Sequence, residues 1–433
     1  MTNAQEWLEQ NYPCNYNERD WQNEIIHQEN CSRKNLKEIN LRNLNLEGDL
    51  DLEGFSYHLK KIYLAGNPNL GEIKNKHSYT TLIYQSSQEW LRHQYPNKEQ
   101  AKEISVYKHN RLYIVDEEIV LSEYPNLEEV EIDGKYFDIA IGSGSGLNKL
   151  KVNNCPKLTG LFCFRNKLTS LTLNCSALVK LDLQHNSLTN LDVSNCPVLQ
   201  EIICLWNCLN KIKFSPMARE KLEILDLHSN NFNQDLTFLS DLVSLKELYL
   251  GNISDLDIRF NWDSKAKINQ GIYNRFVGSL EPLKNLTKLE KLNISNTDID
   301  NGLEYLPESV ETFWCSADER PEAKCRVIYN LFANDQGEVE TDQHGKIKNF
   351  SQKFQAWKEA NPDLINNAQQ ITELEKILNN LNLTLINGKI ENETTAQALD
   401  VFQFETENRI MEMRKQNQDY YQAQVVHNPP TNP

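Results

Sequence analysis

Ten cysteines and nine histidines are the side chains in this 433-residue chain best suited to hold a metal or act as nucleophile and base. Metal sites of recognisable type need close pairs such as Cys-x-x-Cys or His-Glu-x-x-His. Neither occurs, and Cys204-x-x-x-Cys208, His185 and His228 stand alone. Gly142-Ser-Gly144-Ser-Gly146 follows the strand-like Phe137 to Ile141, but its G-x-G-x-G spacing is that of a flexible turn, and no G-x-x-x-x-G-K-[ST] cradle, kinase lysine, H-R-D loop or D-F-G triplet exists. Residues 330 to 433 offer only His344 and His427, without a nucleophile and base pair. The reading is therefore non-enzymatic, with no catalytic residue, no cofactor and no metal.

Six of the ten cysteines are periodic, which gives them another use. Cys163, Cys204 and Cys315 recur at one point of a leucine pattern, and Cys155, Cys175 and Cys196 at another. A thiol at a leucine position behaves as a small apolar group, so these are expected to be buried packing residues.

The pattern that places them is L-x-x-L-x-(L/C)-x-x-N-x-L. It runs Leu158 to Asn166, Leu178 to Asn186 and Leu199 to Asn207, at steps of 20 and 21 residues. It returns at Leu222-Leu225-Leu227-Asn230, Leu245-Leu248-Leu250, Leu289-Leu292-Ile294 and Val310-Phe313-Cys315, and more weakly at Leu127-Val130-Ile132 and Leu59-Ile62-Leu64-Asn67. The step of 44 from Leu245 to Leu289 counts as two repeats. Alternation makes each unit a short strand with Leu178, Leu181 and Leu183 inward, followed by a second strand at Leu168 to Ser176 and Leu188 to Pro197. Asn166, Asn186, Asn207 and Asn230 stand where the chain leaves the strand, and their amides can bond backbone groups that the turn would otherwise bury unpaired.

This frame, about ten units over most of residues 36 to 317, resembles the leucine-rich-repeat family. Cysteine at leucine positions followed by L-T-x-L-D-V-S is similar to internalin-type short repeats of 20–22 residues. The resemblance implies an α/β solenoid with a curved parallel sheet, and a concave face where partners dock. It names Phe162, Asp182, Ile203, Asp226, Tyr249, Asn293 and Trp314, with Phe164, Gln184, Leu205, His228 and Ser295 in the adjoining column and Trp206 beside them. Phe162, Phe164, Ile203, Leu205 and Trp206 are expected to form an exposed apolar patch, and Asp182 and Asp226 to favour a partner bearing Lys or Arg. Nucleotide-triggered receptors and bacterial ubiquitin ligases also carry such repeats. The first would need the missing phosphate cradle, and the second a cysteine beyond Cys325.

Gln5-Glu-Trp7-Leu8 to Tyr12-Pro13 is echoed by Gln88-Glu-Trp90-Leu91 to Tyr95-Pro96, at an offset of 83. The duplication predicts two arrays, each with a helical N-terminal cap over its apolar end. The domains expected are 1–84, a cap and short array, and 85–327, a second cap and main array interrupted at 252–285 by a segment with Trp262, Lys265, Lys267, Tyr273 and Arg275. Beyond Pro321 the stripes Ile371-Leu374-Leu378-Leu381 and Leu399-Phe402-Thr406-Ile410-Met413, joined at Asn387-Gly388, predict a coiled-coil-like helical hairpin over 328–424. That hairpin could pack on itself, self-associate through 369–420 or recruit a partner helix. A disordered tail is expected at 425–433.

With 61 acidic against 45 basic residues the net charge is −16, and no basic run offsets it, so nucleic acid is not an expected partner. No apolar run approaches a membrane span, and the first residues read as neither a secretory nor a transit leader, so the expected location is cytoplasmic. The function expected is a protein-binding scaffold acting through the concave face. In the alternative, the C-terminal helices carry partner binding, oligomerisation or an unrecognised catalytic activity and the array is a spacer.

Overall fold

A computed structural model describes residues 2–13, 33, 36–55, 57–77, 80–84, 87–106, 112–114, 118–134, 147–252, 264–342, 345–386 and 393–427. The Gly142–Gly146 turn with Phe137–Ile141, Trp262, His344, the Asn387-Gly388 turn and the tail past His427 lie outside the described residues. Parallel β-solenoid turns, about ten in all, fill two compact units, Met1–Ala218 and Arg219–Pro433, with a helical region at the C-terminus. Among the described residues no helix is long and apolar enough to cross a membrane.

In the first unit the strands Glu38–Asn40, Lys61–Tyr63, Thr81–Tyr84 and Leu112–Ile114 form one parallel sheet. Glu103–Val106, Glu129–Ile132, Gly160–Phe162, Lys180–Asp182 and Glu201–Ile203 lie in another. The first sheet does not end at residue 84: its fourth strand follows Glu103–Val106 in the chain. Second strands complete the turns, among them Glu118–Ser122, Lys149–Asn153 and Ser170–Asn174, and Asn190–Val193 with Lys211–Phe214. Helix α1 (Ala4–Asn11) is N-capped by Asn3, whose Oδ1 accepts the Glu6 N–H, and it buries Ala4 and Leu8. Gln5 of α1 accepts the Asp51 N–H at 2.8 Å, fixing the helix to the strand Leu46–Asp51. Helix α2 (Ser87–Gln94) buries Trp90 and Leu91, and its Gln88 donates to the Val120 carbonyl at 2.6 Å.

In the second unit the first strands are Ile224–Asp226, Glu247–Tyr249, Lys291–Asn293 and Thr312–Trp314. Glu247–Tyr249 pairs directly with Lys291–Asn293, so the 44-residue step is one enlarged turn and not two repeats. The enlargement closes at Asn274, whose Nδ2 donates to the carbonyls of Leu227 (2.8 Å) and Leu250 (2.9 Å). Arg275–Ser279 then resumes the second-strand role beside Asn233–Gln234 and Asp298–Asn301. Within the enlargement is α3 (Ser264–Asn269), whose Lys267 donates to the Ser229 carbonyl, and Tyr273 sits under the guanidinium groups of Arg275 and Arg320. These residues hold the enlarged turn in place.

The inward leucines are fully buried, as are Cys155, Cys163, Cys175, Cys196, Cys204 and Cys315. Burial pushes the Cys196 thiol up to about 11 and Cys175 to about 12, which removes their nucleophilic character at neutral pH. The asparagines form a ladder in the same core. Asn186 Nδ2 donates to Cys163 O (2.8 Å) and Leu183 O (2.9 Å) while its Oδ1 accepts the Leu168 N–H. Asn207 repeats this with Leu183 O, Cys204 O and the Leu188 N–H, and Asn67 and Asn166 do likewise.

After the last first strand, α4 (Arg326–Asn330) and α5 (Phe350–Ala360) close the end of the unit: Ile347 N–H donates to Phe313 O at 3.1 Å and the Phe350 ring lies 5.0 Å from that of Phe313. Helices α6 (Pro362–Ile386) and α7 (Glu393–His427) follow.

Asn207→Leu keeps the branched shape of the side chain but strands the backbone groups that Asn207 bonds, each costing about 1–3 kcal/mol when buried unpaired. The expected loss, read from urea midpoints, is about 3 kcal/mol, against about 0.5 kcal/mol or less for Asn210→Ala on the surface.

Candidate functional site

In the first unit, strand pairing puts Phe162 beside Asp182 and Asp182 beside Ile203, at the ~4.8 Å spacing of adjacent strands. Phe164, Gln184 and Leu205 follow two residues later. Phe162 is half-buried because its ring folds back over Gly160, where a Cβ would meet the ring at 2.8 Å. Asp182 is engaged locally: Oδ1 accepts the Gln184 N–H at 3.0 Å and Oδ2 accepts Gln184 Nε2 at 2.8 Å. Leu205 is fully buried, contrary to the expected exposed patch.

Of the residues just before the ladder asparagines, sequence reasoning placed Trp206 at the candidate surface and missed Arg165 and His185 there. Arg165, His185 and Trp206 have φ of 56°, 55° and 57°. The left-handed conformation turns the chain so that the following asparagine enters the core, and it throws the side chain before it outward. The His185 and Trp206 rings stack 5.1 Å apart and 10° from parallel. Arg165 lies 5.1 Å from the Phe164 ring and makes a two-point ion pair with buried Asp133, Nε to Oδ1 at 2.9 Å. The only signal was positional, since the residue before each Asn shares no side-chain type.

In the second unit Asp226, Tyr249, Asn293 and Trp314 are in register. Asp226 Oδ1 accepts the His228 N–H and lies 2.9 Å from His228 Nδ1. The His228 and Trp314 rings lie 5.4 and 6.2 Å from that of Tyr249. Burial would push the Glu247 carboxyl up, but bonds from Lys291 and the Tyr249 hydroxyl outweigh it and hold the group low. Asn293 Oδ1 accepts the Ser295 N–H at 2.9 Å. His228, Asn293 and Ser295 are buried, so of the residues expected here Tyr249, Trp314 and Asp226 present surface. Asp182, Asp226 and Asn293 thus share one job, bonding the backbone two residues on, whereas the sequence alone suggests partner-facing charge for the two aspartates.

The hairpin residues also differ from expectation. Ile371 of α6 and Ile410 and Met413 of α7 meet as predicted, but the cluster includes Tyr305 of the repeats, with Leu374 and Leu378 packed on it. Around it, Arg414 binds Glu281 and Glu375, and Lys284 binds the same two carboxylates. Glu304 accepts bonds from Asn417 and the Tyr421 hydroxyl, which itself accepts the Leu303 N–H at 2.9 Å. This seam docks the helices on their own array.

A cavity of about 510 Å³ in the first unit is lined in part by Tyr84, Trp90, Arg92, His93 and Lys76. Burial pushes the His93 imidazole and the Lys76 amine down, and Tyr84 Oη lies 3.2 Å from His93 Nδ1. Sequence reasoning read Trp90 as part of a cap and saw none of the rest. No protein-family model and no curated protein matches this chain.

Burial of Glu304 pushes its carboxyl up despite the Tyr421 and Asn417 bonds. The folded state therefore holds the proton more tightly than the unfolded chain, whose glutamates titrate at about 4.3. The resulting stabilisation is complete below that pH and lost as pH rises through the raised value. Glu304→Gln does not titrate, so its Tm relative to the parent is expected to rise from pH 4 to pH 8. A Tm difference constant over that range would contradict the assignment.

Proposed function

We propose that this chain is a leucine-rich-repeat protein of the short, internalin-like type, and that it acts without catalysis as a scaffold that binds a protein partner on its concave strands. In this reading α1 and α2 are caps at the starts of two arrays, and Cys163, Cys204 and Cys315 are variants of the third inward leucine. A cytoplasmic location accords with the seven buried, free cysteines among the described residues.

The observation that carries the proposal is the choice of residues at the left-handed positions. Glycine would meet the backbone requirement there without the roughly 1–2 kcal/mol that another residue costs. Gly66 and Asn43 stand at such points in the first unit, yet the middle turns carry Arg165, His185 and Trp206. Strain retained beneath large, half-exposed side chains points to recognition. The stacked His185 and Trp206 rings, with Phe162, Phe164 and Ile203 beside them, form a rigid aromatic anchor of the kind that dominates interfaces.

The second reading, partner binding through the C-terminal helices, is favoured by exposed Val401, Phe404 and Met411. Truncation near Pro321 does not separate the two, because Ile347 and Phe350 cover Phe313 and their loss would uncover the core. Substitution does. In pull-downs from native extract, Phe162→Ser/Ile203→Ser/Trp206→Gly, with a circular dichroism spectrum like the parent's, is expected to lose a defined partner. Each anchor is worth about 2 kcal/mol, or roughly 30-fold in Kd. An unchanged partner list would overturn the concave-face reading.

A further inference from the structure

Helix α7 is apolar on two sides. One side carries Thr406, Ile410, Met413, Asn417 and Tyr421, all buried against α6 and the repeats of the second unit. At 3.6 residues per turn the residues on the opposite side are Val401, Phe404, Asn408 and Met411, and their spacing of three, four and three is that of a coiled-coil seam. Val401, Phe404 and Met411 are 56%, 65% and 62% exposed. A helix held in place by one face has no need of apolar residues on the other.

The charges bordering this stripe identify what fits it. Glu405 and Glu412 line one edge, and Asp400 and Glu407 line the other. Among the described residues none of the four is paired with a lysine or arginine. The arginines of the same stretch are turned elsewhere, Arg409 to Gln370 and Arg414 to Glu281 and Glu375, and Lys415, four residues past Met411, ends the apolar stripe on its own line rather than on either acidic edge. Seam-flanking positions choose the partner of a helix. In a parallel pair of α7 helices each edge meets the other edge, and in an antiparallel pair each meets its own kind, so two copies bring acid against acid either way. A net charge of −16 on each chain adds to that repulsion.

We propose that the outward face of α7 docks a basic amphipathic helix of a different protein, whose apolar residues interdigitate with Val401, Phe404 and Met411 and whose lysines or arginines face the four carboxylates. This site is separate from the strand-borne aromatic anchor and does not depend on it. It also runs against self-association through 369–420, since the charge pattern selects an unlike partner.

The test uses the full chain and three synthetic 21-residue peptides in fluorescence anisotropy at about 0.1 M salt. One has leucine at the seam positions and lysine at the flanking ones, the second has glutamate at the flanking positions, and the third has the first's composition with the leucine spacing scrambled. The lysine peptide is expected to bind at least tenfold more tightly than either of the others. Phe404→Ser/Met411→Ser, with unchanged circular dichroism, should weaken it tenfold or more, and Glu405→Lys/Glu412→Lys should shift preference toward the glutamate peptide. The Phe162→Ser/Ile203→Ser/Trp206→Gly variant should bind the lysine peptide like the parent. Equal binding of the lysine and scrambled peptides, no binding of the lysine peptide, or sedimentation showing a dimer abolished by Phe404→Ser/Met411→Ser would each overturn the proposal.

Discussion

A solenoid turn must bury the backbone of its own corner, and the rest of this structure depends on how that corner is satisfied. Each turn leaves carbonyls facing the core where water cannot reach them, and an unpaired one costs about 1–3 kcal/mol. A single amide meets the need, with two donors for carbonyls of its own turn and the previous one and an acceptor for an N–H of the previous turn, as Asn186 and Asn207 do. Leucines supply the bulk of the apolar burial, but the amides set the register. Neighbouring strands are locked because each asparagine bonds two turns at once.

That constraint was legible in the sequence because it demands one residue type at one place. The same holds for the inward leucines and for the cysteines that replace them, whose period alone predicted burial. Legibility fails where the demand is met from afar. Asn274 stands 24 residues beyond Leu250, yet it donates to the Leu250 carbonyl, as Asn186 does to that of Leu183. Counting leucines therefore made two repeats of one. At Thr297 the hydroxyl donates to Ile294 O, and a pattern search for asparagine passes over it.

The candidate surface was half legible for a related reason. Position along a strand predicts which side chains face outward, and Phe162, Asp182 and Ile203 do lie in register. It does not predict what they then bond to. Asp182 and Asp226 read as surface charge, whereas each caps the end of its own strand. The left-handed corners are conversely invisible to pattern, since any side chain can stand there at a cost. They are nevertheless where the ladder shapes the surface: to send Asn207 inward, the chain must aim Trp206 out.

The last turn explains why the C-terminal helices could not be read as a free-standing hairpin. A parallel sheet that ends leaves an unpaired strand edge and an open core, and both invite aggregation. Here Ile347 supplies a donor to that edge and Phe332, Phe350 and Phe354 roof the core above Phe313. The α6 and α7 stripes were visible as helical periodicity, but periodicity does not say whether a seam closes on a partner helix or on repeats. Tyr305 and Glu304, more than sixty residues upstream of Ala368, decide it. Once the inner stripe of α7 is used in this way, the outer stripe is left as a feature that the fold itself does not require.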